Sequence, residues 1–389
     1  MVSCDKGITL IGQRLQFGSR PILPFVSLLF GWSFSPGLCV PGHFLSMTIM
    51  EPKQNRRTMM KVTVPVRIAF ARVIASTGKS IAAAAAALAA FSLPMHAQYT
   101  ISWQPAIKQP AQMTSNSSPA AVIFNNQIYV YYCDKNSNQL SAASTPAVDV
   151  KFSVLGSTGI GCGTSNTAMN GAFFPATQQV YIASNNLPNG WVHSSDGRNF
   201  VSSPINVNDT VYVEGKGLAV FQNQLWIAYV GSNGPSVAAS NDGVNFTYRG
   251  TISSLIPNNP SAWQPGFSLT SNDDNSELLV AFTTGTAGFM TVGHSTDGVT
   301  WSTQQYTDQT FGHDPSIFQY QSAIWVLGQC ACNDHNIWGR GSLDGVNFTA
   351  PVQYGATMNN SLSAKEFQGH LYTIFRSNYG NDLWAMWAY

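Results

Sequence analysis

Ser194-Ser195-Asp196-Gly197-Arg198-Asn199-Phe200 decides the fold, because the same pattern returns three times. It recurs as Ser240-Asn241-Asp242-Gly243-Val244-Asn245-Phe246, as Ser295-Thr296-Asp297-Gly298-Val299-Thr300-Trp301 and as Ser342-Leu343-Asp344-Gly345-Val346-Asn347-Phe348. The aspartates stand 46, 55 and 47 positions apart, an interval that marks a repeated supersecondary unit. A degenerate copy runs from Ser144 through Asp149 to Phe152, 48 residues before Phe200, and Trp103 lies another 49 upstream. Within each copy the chemistry is that of a tight hairpin. Glycine reaches positive φ at no steric cost, the carboxylate accepts turn N–H groups, the serine hydroxyl satisfies a further group, and the closing aromatic tucks into the sheet. The role expected for Asp196, Asp242, Asp297 and Asp344 is therefore structural.

Between these turns the chain alternates like short strands. Val122-Ile123-Phe124 leads through Asn125-Asn126 to Ile128-Tyr129-Val130-Tyr131, and Leu218-Ala219-Val220-Phe221 leads to Leu225-Trp226-Ile227-Ala228-Tyr229. Four such strands per unit, rich in β-branched and aromatic residues, predict an all-β fold, a six-bladed β-propeller of four-stranded blades. Residues 99–103 read as an outermost strand without a turn of its own, while the last unit, ending Leu383-Trp384-Ala385-Met386-Trp387-Ala388-Tyr389, lacks the strand that should follow. Pairing the two would close the ring with the N-terminal strand of the mature chain and remove two sheet edges. No sustained helical period follows Gln98.

The four copies resemble the Asp-box, or bacterial neuraminidase, repeats of the sialidase-like propeller superfamily. As a repeat pattern the resemblance covers about all of residues 98–389, but only the boxes match closely. It implies that the boxes lie at turns far from an active site, and so speaks for fold rather than activity. Sialidases of that superfamily also carry three arginines that clamp the substrate carboxylate, an Arg-Ile-Pro motif, a Tyr/Glu nucleophile pair and an Asp acid/base. After Gln98 this chain has four arginines, Arg198, Arg249, Arg340 and Arg376, and no Arg-Ile-Pro. Arg198 lies inside a box and Arg249 just after one, leaving at most Arg340 and Arg376. A bidentate carboxylate clamp has no good substitute for the missing guanidinium groups.

Charge and cysteine usage bound the partners and the compartment. The formal charge of +1 conceals an uneven distribution: ten of the nineteen basic residues lie at or before Lys79. From Gln98 onward nine basic residues face sixteen acidic ones, a net charge near −7. This argues against nucleic acid and against an anionic membrane surface as partners. Residues 59–97 follow the order of a secretory signal peptide: Lys61, Arg67, Arg72 and Lys79, an apolar run from Ile81 to Leu93, and then Ala97. That run is short for a membrane span. Residues 1–58 read as a leader that belongs neither to the signal nor to a domain. The expected domains are thus 1–58, 59–97 and a propeller over 98–389, secreted after removal of the signal. Cys133, Cys162, Cys330 and Cys332 remain in the mature part, as candidates for disulfides in an oxidising compartment. Four cysteines allow three pairings, but Cys133 and Cys162 fall on the same expected rim. Cys330-Ala331-Cys332-Asn333-Asp334-His335 also has the ligand types of zinc, yet no second ligand pair of matching spacing exists, so no metal or cofactor is expected.

The candidate site is the rim opposite the boxes. Aligning the units places Ser117, Met169, Glu214, Trp263, His313 and Asn360 at one leading position, followed by Ser118, Asn170, Gly215, Gln264, Asp314 and Ser361. These positions diversify where the boxes stay alike, which suits either a binding site or a wet channel mouth that tolerates any polar residue. Glu214 and Asp314 are candidate carboxylates for glycoside hydrolysis, with His313 a possible oriented base. Trp263 is a candidate sugar-stacking ring, with Lys216, Gln264, Asn170, Asn360 and Arg376 as further ligand-binding candidates. Scarce charge, abundant amides and hydroxyls, and many aromatics point to a glycan or glycoconjugate partner. The leading expectation is a non-catalytic, lectin-like propeller. The alternatives are a sialidase-like glycoside hydrolase or lyase using carboxylates on that rim, and an extracellular protein-interaction platform.

Overall fold

The structure is a computed structural model that describes residues 45–48, 61–64, 100–146, 151–165, 167–209, 212–253, 266–284, 288–311, 314–331 and 334–389. The chain divides into two units, Met1–Ala97 and Gln98–Tyr389. In the first, β1 (Leu45–Thr48) pairs antiparallel with β2 (Lys61–Val64); the rest of the expected leader and signal lies outside the described residues. The second unit is all β. Its one helical element among the described residues is a three-residue 3-10 turn, Pro188–Gly190.

The strands form antiparallel meanders in chain order. After β3 (Ile107–Lys108), the first sheet holds β4 (Ala120–Phe124), β5 (Gln127–Asp134), β6 (Gln139–Thr145) and β7 (Ser153–Gly161). The second holds β8 (Asn170–Phe174), β9 (Gln179–Ala183) and β10 (Trp191–Ser194). β11 (Asn206–Val207) runs parallel to β15 (Asn245–Thr251) at the edge of the third, which also contains β12 (Tyr212–Phe221), β13 (Gln224–Gly231) and β14 (Gly234–Ser240). The fourth holds β16 (Ser268–Ser271), β17 (Leu278–Thr284), β18 (Phe289–Ser295) and β19 (Ser302–Thr310). The remaining strands, β20 (Ser316–Tyr320), β21 (Ala323–Gln329), β22 (Asn336–Ser342), β23 (Val352–Phe367), β24 (His370–Ser377) and β25 (Leu383–Ala388), form one seven-stranded sheet with β3.

Two features of this topology differ from the regular unit expected. The second sheet has three strands, and its fourth is reduced to a bridge between His193 and Val201, held by reciprocal backbone bonds of 2.9 and 3.0 Å. Pro204 lacks the N–H that a fuller strand would need, and Ser202 Oγ donates instead to Pro188 O at 3.1 Å. The second difference is the length of β23, sixteen residues that pair with β22 in their first part and with β24 in their second. The register shift between Met358 and Leu362 marks the change. At the N-terminal edge, Lys108 pairs with Trp384 and Ile107 with Ala385, while Trp103 bridges Ala388. The added strand thus runs farther along the chain than residues 99–103.

Hairpin chemistry sets the registers. The turns after β4, β12, β20 and β23 each place two consecutive residues at positive φ: Asn125 and Asn126, Gln222 and Asn223, Gln321 and Ser322, Gln368 and Gly369. That is the geometry whose twist matches paired strands. The strands that begin each meander pack in sequence: β4 on β8, β8 on β12, β12 on β16, β16 on β20, β20 on β23, and β23 on β4. Their approach is close. A Cβ on Gly171 would strike the Val122 side chain, and one on Gly217 would lie 3.1 Å from Phe267 O. Between sheets the core is aromatic, as in the Phe124–Phe173 pair at 5.2 Å and the edge-on Trp191–Phe246 pair at 5.7 Å.

Candidate functional site

In an antiparallel meander the first and third turns project from one end of the sheet, and the second turn and the segments linking sheets project from the other. The Ser-x-Asp-Gly turns are third turns, and the leading positions belong to the opposite end.

At the turn end the same set of bonds repeats. Ser194 Oγ donates to Asp196 Oδ1 at 2.8 Å and accepts the Gly197 N–H at 2.9 Å, while Asp196 Oδ1 accepts the Arg198 and Asn199 N–H groups at 2.8 and 2.7 Å. Asp242 accepts from Val244 and Asn245 at 2.8 Å each, Asp297 from Val299 and Thr300 at 2.8 and 2.7 Å, and Asp344 from Val346 and Asn347 at 2.9 and 2.7 Å. These N–H bonds stabilise the ionised carboxyl. The backbone amide of Asn199 chiefly holds Asp196 far below the usual carboxylate range, and that of Asn245 does so for Asp242. Asp297 falls to about 2, first through the Thr300 amide. For Asp344 burial pushes upward, but the amide and side chain of Asn347 outweigh it. Each turn also rests on the preceding sheet: Tyr131 Oη donates to Gly197 O at 3.1 Å, and a Cβ on Gly243 would overlap the Tyr181 hydroxyl.

The opposite end has no such repetition. Asn170 Nδ2 donates to Lys216 O at 2.9 Å and to Phe267 O at 3.1 Å, joining the first strand of the second sheet to segments of the third and fourth. Its register differs from the sequence alignment. Asn170 stands four residues before the turn residue Phe174, as Gly217 stands to Phe221, and so lies level with Gly217 rather than with Gly215. Lys216 is 4% exposed, and its Nζ reaches the Cα face of Gly190, where a Cβ would overlap it. Burial lowers its pKa to about 8. The Asp314 carboxylate accepts the Gly266 N–H, binding the segments that lead into β20 and β16. Asn360, buried at φ +81°, donates its N–H to Gln329 Oε1 at 2.8 Å, and Gln329 Nε2 bonds His335 Nδ1. Arg376 Nη1 donates to Asn116 O at 2.8 Å, while its buried Nε has no partner among the described residues.

Glu214 lies in the backbone of β12, but its side chain is outside the described residues, as are Trp263, Gln264, His313 and Cys332. The expected carboxylate pair is therefore placed only at Asp314. Cys133 and Cys162 form a disulfide with Cα atoms 5.9 Å apart, tying the end of β5 to the segment after β7. Cys330 is also disulfide-bonded. Of the two arginines left over for a clamp, Arg340 is engaged in the fold. Its guanidinium pairs with Asp308, donates to Thr349 O at 3.2 Å and lies 4.8 Å from the Tyr306 ring centroid.

Two groups at this end escaped the sequence reading. Tyr379, 88% exposed, stands in the loop between β24 and β25, and Asn185, in the loop after β9, buries an Oδ1 that has no partner among the described residues. Both lie in second turns, whereas the alignment weighed only the leading segments. The aromatic ring within Asn378-Tyr379-Gly380-Asn381-Asp382 was the available signal. This end thus holds amide, carboxylate and buried ammonium and guanidinium groups, and an exposed ring at Tyr379. That inventory suits hydrogen bonding to, and stacking on, a polar ligand.

No protein-family model and no curated protein sequence matches the chain. Among solved structures it is similar to a Dyadobacter fermentans DSM 18053 protein of unknown function, with a TM-score of 0.52 and 10% identity over 74% of this chain and 99% of that one. It is also similar to the Aleuria aurantia fungal lectin described as a six-bladed β-propeller with a novel mode of fucose recognition, with a TM-score of 0.49 and 15% identity over 71% and 93% of the two chains. A Hadza microbial sialidase gives a TM-score of 0.47 and 12% identity over 68% and 64%. The similarity to the Dyadobacter protein is one of fold.

Proposed function

We propose that residues 98–389 form a six-bladed β-propeller of the Asp-box kind, exported from the cell, that binds a glycan at the end opposite the Ser-x-Asp-Gly turns and carries out no chemistry on it. The cyclic packing of the strands that begin each meander supports the ring, and the pairing of β3 with β25 supports its closure by the N-terminal strand. The Cys133–Cys162 bond supports an oxidising destination. The observation that carries the binding reading is the contrast between the two ends. One end repeats the same turn four times, while the other holds Asn170, Lys216, Asp314, Asn360, Arg376 and Tyr379, the last four on or beside one sheet and Lys216, Asn360 and Arg376 buried. Structural demand repeats at the turn end, and the variety at the other end supports a surface shaped for a ligand. The engagement of Arg340 with Asp308 and Tyr306 speaks against a sialidase clamp, since it leaves one arginine where three are needed.

A glycan array tests this directly. The full chain is expected to bind one structural class of saccharide, with the signal lost in Trp263→Ala; an array silent to every glycan refutes the reading. Turnover of a chromogenic glycoside panel that disappears in Glu214→Gln would replace it with a glycosidase.

A further inference from the structure

Lys216 stands out among the groups at the binding end. Its backbone carbonyl is pinned by the Asn170 amide, which the same side chain ties to Phe267 O. The ammonium is pressed against a loop that is itself fixed. Gly190, at φ +66°, donates its N–H to Leu187 O at 2.8 Å, and Ser184 N–H donates to Gly190 O at 3.2 Å. Among the described residues Nζ has no hydrogen-bond or ion-pair partner, though the side chain is 4% exposed. The same loop carries the buried Oδ1 of Asn185, which has no partner among the described residues. A desolvated ammonium held this way retains its full attraction for a negative group, because little water remains to compete. A neutral hydroxyl can supply one hydrogen bond there, whereas an anion supplies the hydrogen bond and the missing charge. Even with burial bringing its pKa to about 8, the group is mostly protonated at neutral pH. The net charge near −7 over residues 98–389 disfavours a polyanion.

We propose that the saccharide bound at this end bears a single anionic substituent on an otherwise neutral framework, and that the Lys216 ammonium, backed by Gly190, receives it. This deepens the glycan-binding reading and rests on it. A carboxylate and a sulfate ester share the required chemistry, so the test has an arm for each. Calorimetric titration of the full chain would compare aldobiouronic acid with its methyl ester, and galactose 6-sulfate with galactose. At least one acid is expected to bind tenfold or more tighter than its neutral form. Lys216→Met should erase that difference, with the melting temperature no lower than that of the parent; Lys216→Arg should keep part of it. Should the Met variant fail to fold, Lys216→Gln supplies the same comparison. Equal affinities for acid and neutral form, or a preference that survives loss of the lysine, overturn the proposal. A glycan array that identifies only neutral ligands overturns it while leaving glycan binding intact; a silent array removes both.

Discussion

The two ends of these sheets make opposite use of polar residues. At the turn end the leading serine hydroxyl and the aspartate carboxylate of each repeat are satisfied within seven residues, as Asp242 is by Ser240, Val244 and Asn245. At the other end polar groups bond across sheets or stay unpartnered among the described residues, as Asn170 and Lys216 do. Local satisfaction makes a polar group a stabiliser. Polar groups left desolvated lower stability and gain a use only when something else binds them. Substituting a turn residue should therefore cost stability, and removing an unpartnered polar group at the other end should not.

The largest effect is expected at Gly243. Valine there must adopt φ +74° and overlap the Tyr181 hydroxyl, which should remove roughly 3–5 kcal/mol in urea denaturation. Replacing both Cys133 and Cys162 by serine should cost roughly 3 kcal/mol by the same measurement, from the loop of 29 residues that the bond closes. That bond lies at the end opposite the Ser-x-Asp-Gly turns, where a covalent closure rather than a polar group supplies the stability. Asp242→Ala forfeits several charge-assisted bonds and should cost about 1–3 kcal/mol.

The turn aspartates also fix the response to acid. Their folded pKa values lie below the ordinary 3.8, with Asp297 at about 2 and Asp196, Asp242 and Asp344 also depressed. Their stabilisation is therefore complete above about pH 4 and is lost as pH falls through the folded values. Thermal melts should fall from about pH 4 downward, and less steeply in a protein lacking Asp242. The smallest shift is expected for Lys216→Met, a gain of about 1 kcal/mol from removing a buried charge that has no partner among the described residues. A loss there would show that the lysine holds the fold, and the contrast between the ends would break.

How far the sequence could be read follows from the same contrast. The Ser-x-Asp-Gly turns were legible because each copy solves one local problem with the same side chains, and a local solution is written in consecutive residues. Cys133 and Cys162 were legible as neighbours through the strand order alone. The candidate residues were legible as belonging to one end of the sheets but not as a constellation. Asn170 lies two positions from where the alignment set it, because β8 ends in a longer hairpin loop than β4 or β12, a fact of registers rather than residue types. The setting of Lys216 depends on Gly190, twenty-six residues earlier and in another sheet, and no periodicity connects them. Tyr379 was missed because the alignment followed leading segments and ignored second turns. The shortened second sheet was missed because Pro204 acts through a bond that does not form.

The meeting of β3 with β25 unites residues from the two extremes of the unit in a single short pairing, Ile107 beside Ala385. Such a contact is among the last a chain can make, since nearly everything between must already be in place before the two segments can find each other. Until then the Trp384-bearing edge stays open to any other extended strand, including one from a neighbouring molecule. The seam that joins beginning to end is thus also where self-association between copies would start.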